Sequence, residues 1–339
     1  MRNELKRRPL RTAIVGCGRM GQQHARSVAA LGHTVSIVCD VDAARANGLS
    51  AQHPGCRAVT APETISWDTV DAAFICTPPF ARGPVEIAAA SAGVALFLEK
   101  PIGLASSTGR AMLAAVRDSG VVSSVGYMNR YRSSVSRARE VLQAHAPLGF
   151  TANWVGAAYK VPWWGDPSLS GGQINEQCTH VIDLARYLVG EVTQVDAFSQ
   201  PSPDGRGDAS VAMLLRFDRG MLGTITCGCL AEEKQIGARI FTRTGQLALD
   251  GWDFKGSASG AHRDVFEGPG QDDVFVDECA AFLNAVAMRD RSGIRSDLED
   301  ALKTQEVVDA VVASLAARRA ERSTGNRTEK ESNHALISA

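Results

Sequence analysis

The sequence predicts two segments of different architecture. An α/β segment with a doubly wound parallel sheet comes first, and an α+β segment with a mostly antiparallel open sheet and flanking helices follows. Three observations predict this. Through residue 127, short apolar runs alternate with helix-period stretches of about ten residues or more. Beyond residue 128, strand-like runs follow one another without helices between them. The first apolar run ends in a glycine-rich turn that opens a helix. A chain of 339 residues holds two domains at roughly 150 residues each.

In order, LRTAIVG (10–16) is a strand and RMGQQHARSVAAL (19–31) a helix. TVSIVCD (34–40) is a second strand, followed by the helical DAARANGLSAQ. VDAAFICTPP (70–79) is a strand stopped by two prolines, and VEIAAASAG (85–93) a helix. ALFLEKP (95–101), the helical SSTGRAMLAAVRDSG (106–120) and VVSSVGY (121–127) complete the series. Buried strands separated by helices give parallel βαβ units. A helix over roughly 131–145 then precedes GFTANWVG, VTQVDAFSQ, DASVAMLLRFD, MLGTITCGC, GARIFTRTG and QLALDGW, six alternating runs. Helices over about 274–290 and 297–320 end the fold. The expected division is 1–128, 129–322 and a polar, aperiodic, disordered tail at 323–339.

A formal net charge of -1 gives no basic excess for nucleic acid. No apolar stretch reaches the roughly 18 residues that span a bilayer. The basic start (Arg2, Lys6, Arg7, Arg8) runs straight into a strand without a signal-peptide apolar run, so a cytoplasmic protein is expected. The eight cysteines show no framework spacing. Cys227 and Cys229 read as alternating strand positions rather than metal ligands, and the usage fits a reducing compartment. No metal site is expected.

Gly16-Cys17-Gly18-Arg19-Met20-Gly21 is a G-x-G-x-x-G in the strand–turn–helix context that a Rossmann dinucleotide site requires. Gly16 permits the tight turn, Gly18 lets a pyrophosphate approach the backbone, and Gly21 lets helix and strand pack closely. The free N–H groups of the helix start complete the anion site. Asp40 ends the next strand, where its carboxylate accepts the ribose hydroxyls and repels a 2′-phosphate, favouring NAD. Arg45, on the following helix, leaves NADP open. A glycine turn with a capping aspartate is the plain alternative. His24, one turn into the helix, is assigned no role. Thr77-Pro78-Pro79 and Glu99-Lys100-Pro101 both end strands at the carboxyl edge of the sheet, where ligands of open α/β folds bind.

SGGQINEQCTHVIDLARYL (170–188) begins polar and ends as an ordinary buried helix. Glu176, His180 and Asp183 are spaced i, i+4, i+7 and share one helix side. A carboxylate one turn before a histidine accepts its ring N–H and leaves the other nitrogen as a base near neutral pH. Exposed helices carry such pairs as well, and Asp183 has Arg186 within reach as a salt-bridge partner.

Together GCGRMG, CTPP, EKP and GGQINEQCTHVID, in this order, resemble the Gfo/Idh/MocA oxidoreductases over about residues 10–320. The resemblance implies a two-domain NAD(P)-dependent enzyme acting on sugars, inositols or sugar derivatives, working as a homodimer or homotetramer with a sheet face between subunits. It implies Lys100 as the amine at the substrate oxygen and Glu176 and His180 as the acid and histidine of the second domain. It also places Asn129 and Arg130, after the last parallel strand, beside nicotinamide and substrate; Asn175 is a further candidate substrate contact, and Asp183 belongs to the supporting or substrate-binding shell. The chain departs from the family pattern at Glu176 (often aspartate), Cys178 (often glycine) and Arg82, where a histidine often follows the TPP turn. Trp163 and Trp164 offer an apolar face to a sugar ring, with loop or interface packing as the plain alternative. Two other readings stay open: an NAD-dependent glycosidase using transient oxidation, and a non-catalytic NAD-sensing regulator.

Overall fold

The structure, a computed structural model, describes residues 8–203, 207–263, 266 and 272–337, with side chains to residue 321. Arg2, Lys6 and Arg7 lie outside that range.

The first sheet contains β1 (Arg11–Val15), β2 (Thr34–Cys39), β3 (Arg57–Val59), β4 (Ala72–Ile75), β5 (Ala95–Leu98) and β6 (Ser123–Val125). All neighbours are parallel, in the order β3-β2-β1-β4-β5-β6. The connecting helices are α1 (Arg19–Ala30), α2 (Ala43–Ser50), α3 (Pro84–Ser91) and α4 (Ser106–Ser119). AAFI and ALFL are buried at every position, as strands covered on both faces must be. Gly120, left-handed at φ 67°, stops α4. Strand order reverses between β1 and β4, which opens a crevice above their carboxyl ends.

Next come α5 (Ser133–Ala144), β7 (Pro147–Ala157), the short α6 (Pro167–Ser170), a π-helical turn at Ile174–Cys178 and α7 (Thr179–Val189). β8 (Val192–Pro201), β9 (Asp208–Phe217), β10 (Leu222–Gly228), β11 (Leu230–Thr242), β12 (Gly245–Asp250) and β13 (Lys255–Gly260) follow. The second sheet has the order β13-β12-β11-β7-β10-β9-β8. It is antiparallel except where β10 returns parallel to β7 (Phe150 opposite Gly223), because the connection between them passes through a helix. β9 alternates buried and exposed residues along its length, so one sheet face is core and the other open.

Two strands escaped the sequence reading. β3 has three residues, and β13 (KGSASG) lacks the β-branched and aromatic side chains that mark strands; both lie at sheet edges. Two helices end the fold, α8 (Val274–Met288) and α9 (Leu298–Ile337), and α9 packs on both sheets. Cys279, Phe282 and Leu283 of α8 join a core beneath the first sheet, where the Phe282 ring meets Phe74 at 5.5 Å. Leu298, Ala301 and Leu302 of α9 belong to the first sheet's other core, and Val307, Val308, Val311 and Leu315 to the second sheet's. The α9 helix continues to Ile337, across the segment from 323 for which the sequence predicts an irregular tail. Cys178 and Cys227 form a disulfide, with Cα atoms 6.0 Å apart, where the sequence suggested unpaired cysteines. Both are buried where the helix meets the sheet, a proximity that spacing cannot reveal.

Candidate active site

The nucleotide end is built by close approach. Gly16 has φ +91°, and a Cβ there would lie 2.8 Å from the Cys76 carbonyl carbon. A Cβ on Gly21 would lie 1.9 Å from the Gly16 oxygen, so the first turn of α1 packs directly on the loop. Gly18 faces open space, where a Cβ would meet nothing within 4 Å, and no side chain caps the α1 start. Its N–H groups are therefore available to an anion. Asp40 accepts from the Cys17 N–H at 2.7 Å and the Asp42 N–H at 2.9 Å. These bonds fix the carboxylate beside the loop and leave lone pairs for a ribose diol. Thr77 Oγ1 is buried without a partner among the described residues, on the wall of the same crevice. A dinucleotide fits these residues: a phosphate-sized gap, unshared N–H groups, a diol acceptor and an orphan hydroxyl.

One cavity of about 660 Å³ connects this loop to the second sheet. Gly16, Gly18, Arg19, Met20, Asp40 and Arg45 line one end, followed by Thr77, Pro78 and Pro79. Lys100, Glu176, His180 and Trp163 line the other. The lysine of the first sheet and the histidine of the second half thus face a single space. Gly21 acts behind the loop as packing.

Other sequence-predicted residues lie elsewhere. Arg130 and Asp183 bind each other, with Nε–Oδ2 2.8 Å and Nη2–Oδ1 2.6 Å, both nearly inaccessible to solvent. They line no part of the cavity and instead tie the segment after β6 to α7. Asn129 accepts from Arg132 Nε at 3.0 Å, and Asn175 donates to the Gly103 and Ser170 carbonyls at 3.1 and 2.9 Å. Trp164 is buried against Tyr159, so only Trp163 of the tryptophan pair reaches the cavity. These five brace the site from behind. Sequence could not distinguish bracing from lining, because both demand polar side chains in the same segments.

The Glu176–His180 hydrogen bond expected from helical spacing is absent among the described residues. Residues 174–178 form a π turn, which rotates successive side chains by less than α geometry and carries Glu176 away from His180. Lys100 Nζ instead donates to the Glu176 carbonyl at 2.8 Å and lies 3.8 Å from its Oε2. His180 stacks on Trp154, with ring centroids 4.8 Å apart. Burial holds the His180 pKa well below 6.5, and the nearby charges of Lys100, Lys234, Arg132 and Arg19 push it the same way. Burial raises the Glu176 carboxyl, opposed by Lys100.

Glu99 borders the cavity, but its carboxylate turns inward to His24, Nε2–Oε1 2.7 Å. His24 therefore anchors the strand end that carries Lys100, a contact across 75 residues of sequence. Arg82 donates to the Ile75 carbonyl at 2.7 Å and pairs with Glu86, bracing the end of β4. Trp154, Lys234, Trp252 and Glu232 were missed by the sequence reading. Trp154 and Trp252 fall in expected strand runs, where nothing local marks which face meets a ligand, whereas Glu232 and Lys234 lie between the expected runs MLGTITCGC and GARIFTRTG.

A glycine-loop nucleotide site sharing one cavity with an amine and a neutral imidazole defines a dinucleotide-binding oxidoreductase type of protein. The chain belongs to the Gfo/Idh/MocA oxidoreductase family. Residues 10–127 match the model described as "Oxidoreductase family, NAD-binding Rossmann fold", and residues 140–248 match the GFO/IDH/MocA C-terminal domain. It is 28% identical over 230 residues to the scyllo-inositol 2-dehydrogenase (NAD(+)) of Bacillus subtilis, covering 64% of this chain and 66% of that one. It is 30% identical over 186 residues to the levoglucosan dehydrogenase of Pseudarthrobacter phenanthrenivorans, covering 44% and 47%. The chain thus spans just under two thirds of the first relative and under half of the second. The UDP-N-acetylglucosamine 3-dehydrogenase of Acidithiobacillus ferrooxidans has the same fold, with TM-score 0.80 at 22% identity over 92% of this chain and 99% of that one. So has levoglucosan dehydrogenase in complex with NADH, with TM-score 0.80 at 21% identity over 91% and 98%. No helix among the described residues is long and apolar enough to cross a membrane.

Proposed function

We propose that this protein is an NAD-dependent dehydrogenase interconverting a secondary alcohol and a ketone on a sugar, an inositol or a sugar derivative. The observation that carries it is the shared cavity: Lys100 and His180, from different halves of the chain, face the space that the nucleotide loop opens into. Bound NAD supplies the hydride acceptor. His180, kept neutral by burial, takes the hydroxyl proton during oxidation and returns it during reduction. Lys100 donates a hydrogen bond to the same oxygen and stabilises the negative charge that develops there. Glu176 holds the Lys100 ammonium from carbonyl and carboxylate at once, and so sets its direction. Asp40 favours NAD over NADP, with Arg45 at the cavity mouth. The named activities of the inositol and levoglucosan relatives support a polyol or sugar substrate. The open face of the second sheet, with Leu214, Leu222 and Phe241 exposed, supports a homodimer or homotetramer.

A panel of sugars and inositols with NAD or NADP, followed at 340 nm, tests the reading. NAD is expected to give the faster rates. Lys100→Met is expected to lower kcat by about a thousandfold or more while NADH binding, read by fluorescence, persists. Full turnover in that variant refutes the assignment. Glycoside cleavage without net NADH would install the glycosidase reading, and NAD binding without turnover on any substrate the regulatory one.

A further inference from the structure

Lys234 belongs to the cavity but has no part in the proton and hydride steps. β11 pairs with β7 at Leu230–Ala157 and again at Gln235–Val155, so residues 231–234 stand opposite Gly156 alone. Such a bulge turns side chains out of the ladder, and this one brings Glu232 and Lys234 to the cavity wall. The Lys234 stem crosses Gly156, where a Cβ would lie 3.4 Å from its Cγ. Its ammonium rests 4.1 Å from the Trp252 ring centroid. Trp252 meets Trp154 at 6.0 Å, and Trp154 stacks on His180. A row of rings therefore sets Lys234 on the same wall as the base.

The charges around the cavity are unequally matched. Lys100 is paired with Glu176, Glu99 with His24 and Arg82 with Glu86. Arg19, Lys160 and Lys234 have no carboxylate within salt-bridge distance among the described residues; of the lining acids without a cation partner, Asp40 is held by backbone N–H groups at the nucleotide loop, and Glu232 is the other. Arg19 opens α1 at the phosphate loop, where the dinucleotide's own phosphates match it. That leaves two amines against one carboxylate at the substrate end. Burial, then the Arg19 charge, lowers the Lys234 pKa, as expected of an ammonium facing cations.

We propose that Lys234 binds an anionic substituent, a carboxylate or a phosphate, on the sugar-like substrate, so that acidic sugars are preferred to their neutral parents. This rests on the dehydrogenase reading. The test compares D-glucose and D-galactose with D-glucuronate, D-galacturonate and glucose 6-phosphate, for the wild type, Lys234→Met and Lys234→Arg. Carboxylate and phosphate arms distinguish the two anions. Expected are kcat/KM values at least about tenfold higher on acidic members. In Lys234→Met their KM rises about ten- to a hundredfold with kcat nearly kept, and Lys234→Arg recovers most of the loss. NADH affinity stays within about twofold of wild type. Equal or better turnover of neutral sugars overturns the proposal and leaves the dehydrogenase intact. A loss of NADH affinity in Lys234→Met also overturns it, by assigning the amine to the cofactor. If no member is turned over, the dehydrogenase reading is what suffers, and binding decides Lys234. Thermal stabilisation of the NADH-loaded protein by the acidic sugars, lost in Lys234→Met, supports the proposal; its absence in the wild type overturns it.

Discussion

His180 shows how a residue's surroundings select its chemistry. A histidine in water is half protonated near pH 6.5, where a base is half lost. Here burial against Trp154 and four nearby cations disfavour the charged ring, so its pKa lies well below that value. The neutral form is the base, and it persists as pH falls until the lowered pKa is reached. The kcat/KM for alcohol oxidation is therefore expected to show no histidine limb between about pH 6.5 and 7.5, with any acid loss displaced to lower pH. A pH–rate profile checks this, and a half-loss centred at about 6.5 or above contradicts it. Lys100, Glu176 and His180, which line the one cavity, were singled out by the family resemblance of EKP and GGQINEQCTHVID. Their pairing was not legible in the sequence. The carboxylate sits on the lysine rather than the imidazole, since a local π turn decides where Glu176 points.

At the scale of elements, the nucleotide turn is the best-determined part of the chain. Glycines at 16, 18 and 21 carry three different demands: a positive φ, an open approach and a backbone contact. Gly21→Ala would force a Cβ to within 1.9 Å of the Gly16 oxygen, so α1 must move off β1. Purified Gly21→Ala is expected to lose NADH affinity by more than about tenfold and to melt several degrees lower, by calorimetry. Wild-type binding would show that the contact relaxes freely. The bulge in β11 is the opposite case. Residues 230–236 (LAEEKQI) show no apolar alternation and precede GARIFTRTG, the run that reads as a strand, so their pairing with β7 and the extra residues become visible only in the register. That is why Glu232 and Lys234 escaped a reading made strand by strand, while Gly16 and Asp40 did not.

At the scale of the molecule, α9 joins the two sheets. Leu302 and Val307 of a single helix enter different cores, so one helix spans both halves that line the cavity. The outer face of the second sheet carries Leu214, Leu222 and Phe241 in solvent, the face on which the proposed assembly would form. Light scattering is expected to give a dimer or tetramer, and Leu214→Arg to shift it toward monomer. A monomeric wild type at micromolar concentration contradicts the sheet-mediated assembly.

By itself the sequence determined the order of elements, the parallel and antiparallel character of the two halves and the nucleotide turn. Those follow from periodicity and from backbone demands that only a few residue types meet, and both are local. Tertiary structure alone decided that Arg130 and Asp183 neutralise each other, that His24 anchors Glu99, and that Lys234 and Trp252 join the cavity wall. Each of these joins residues separated by dozens of positions or by a shift of strand register. Electrostatic and packing energies depend on distance in space, and one-dimensional spacing does not carry that distance.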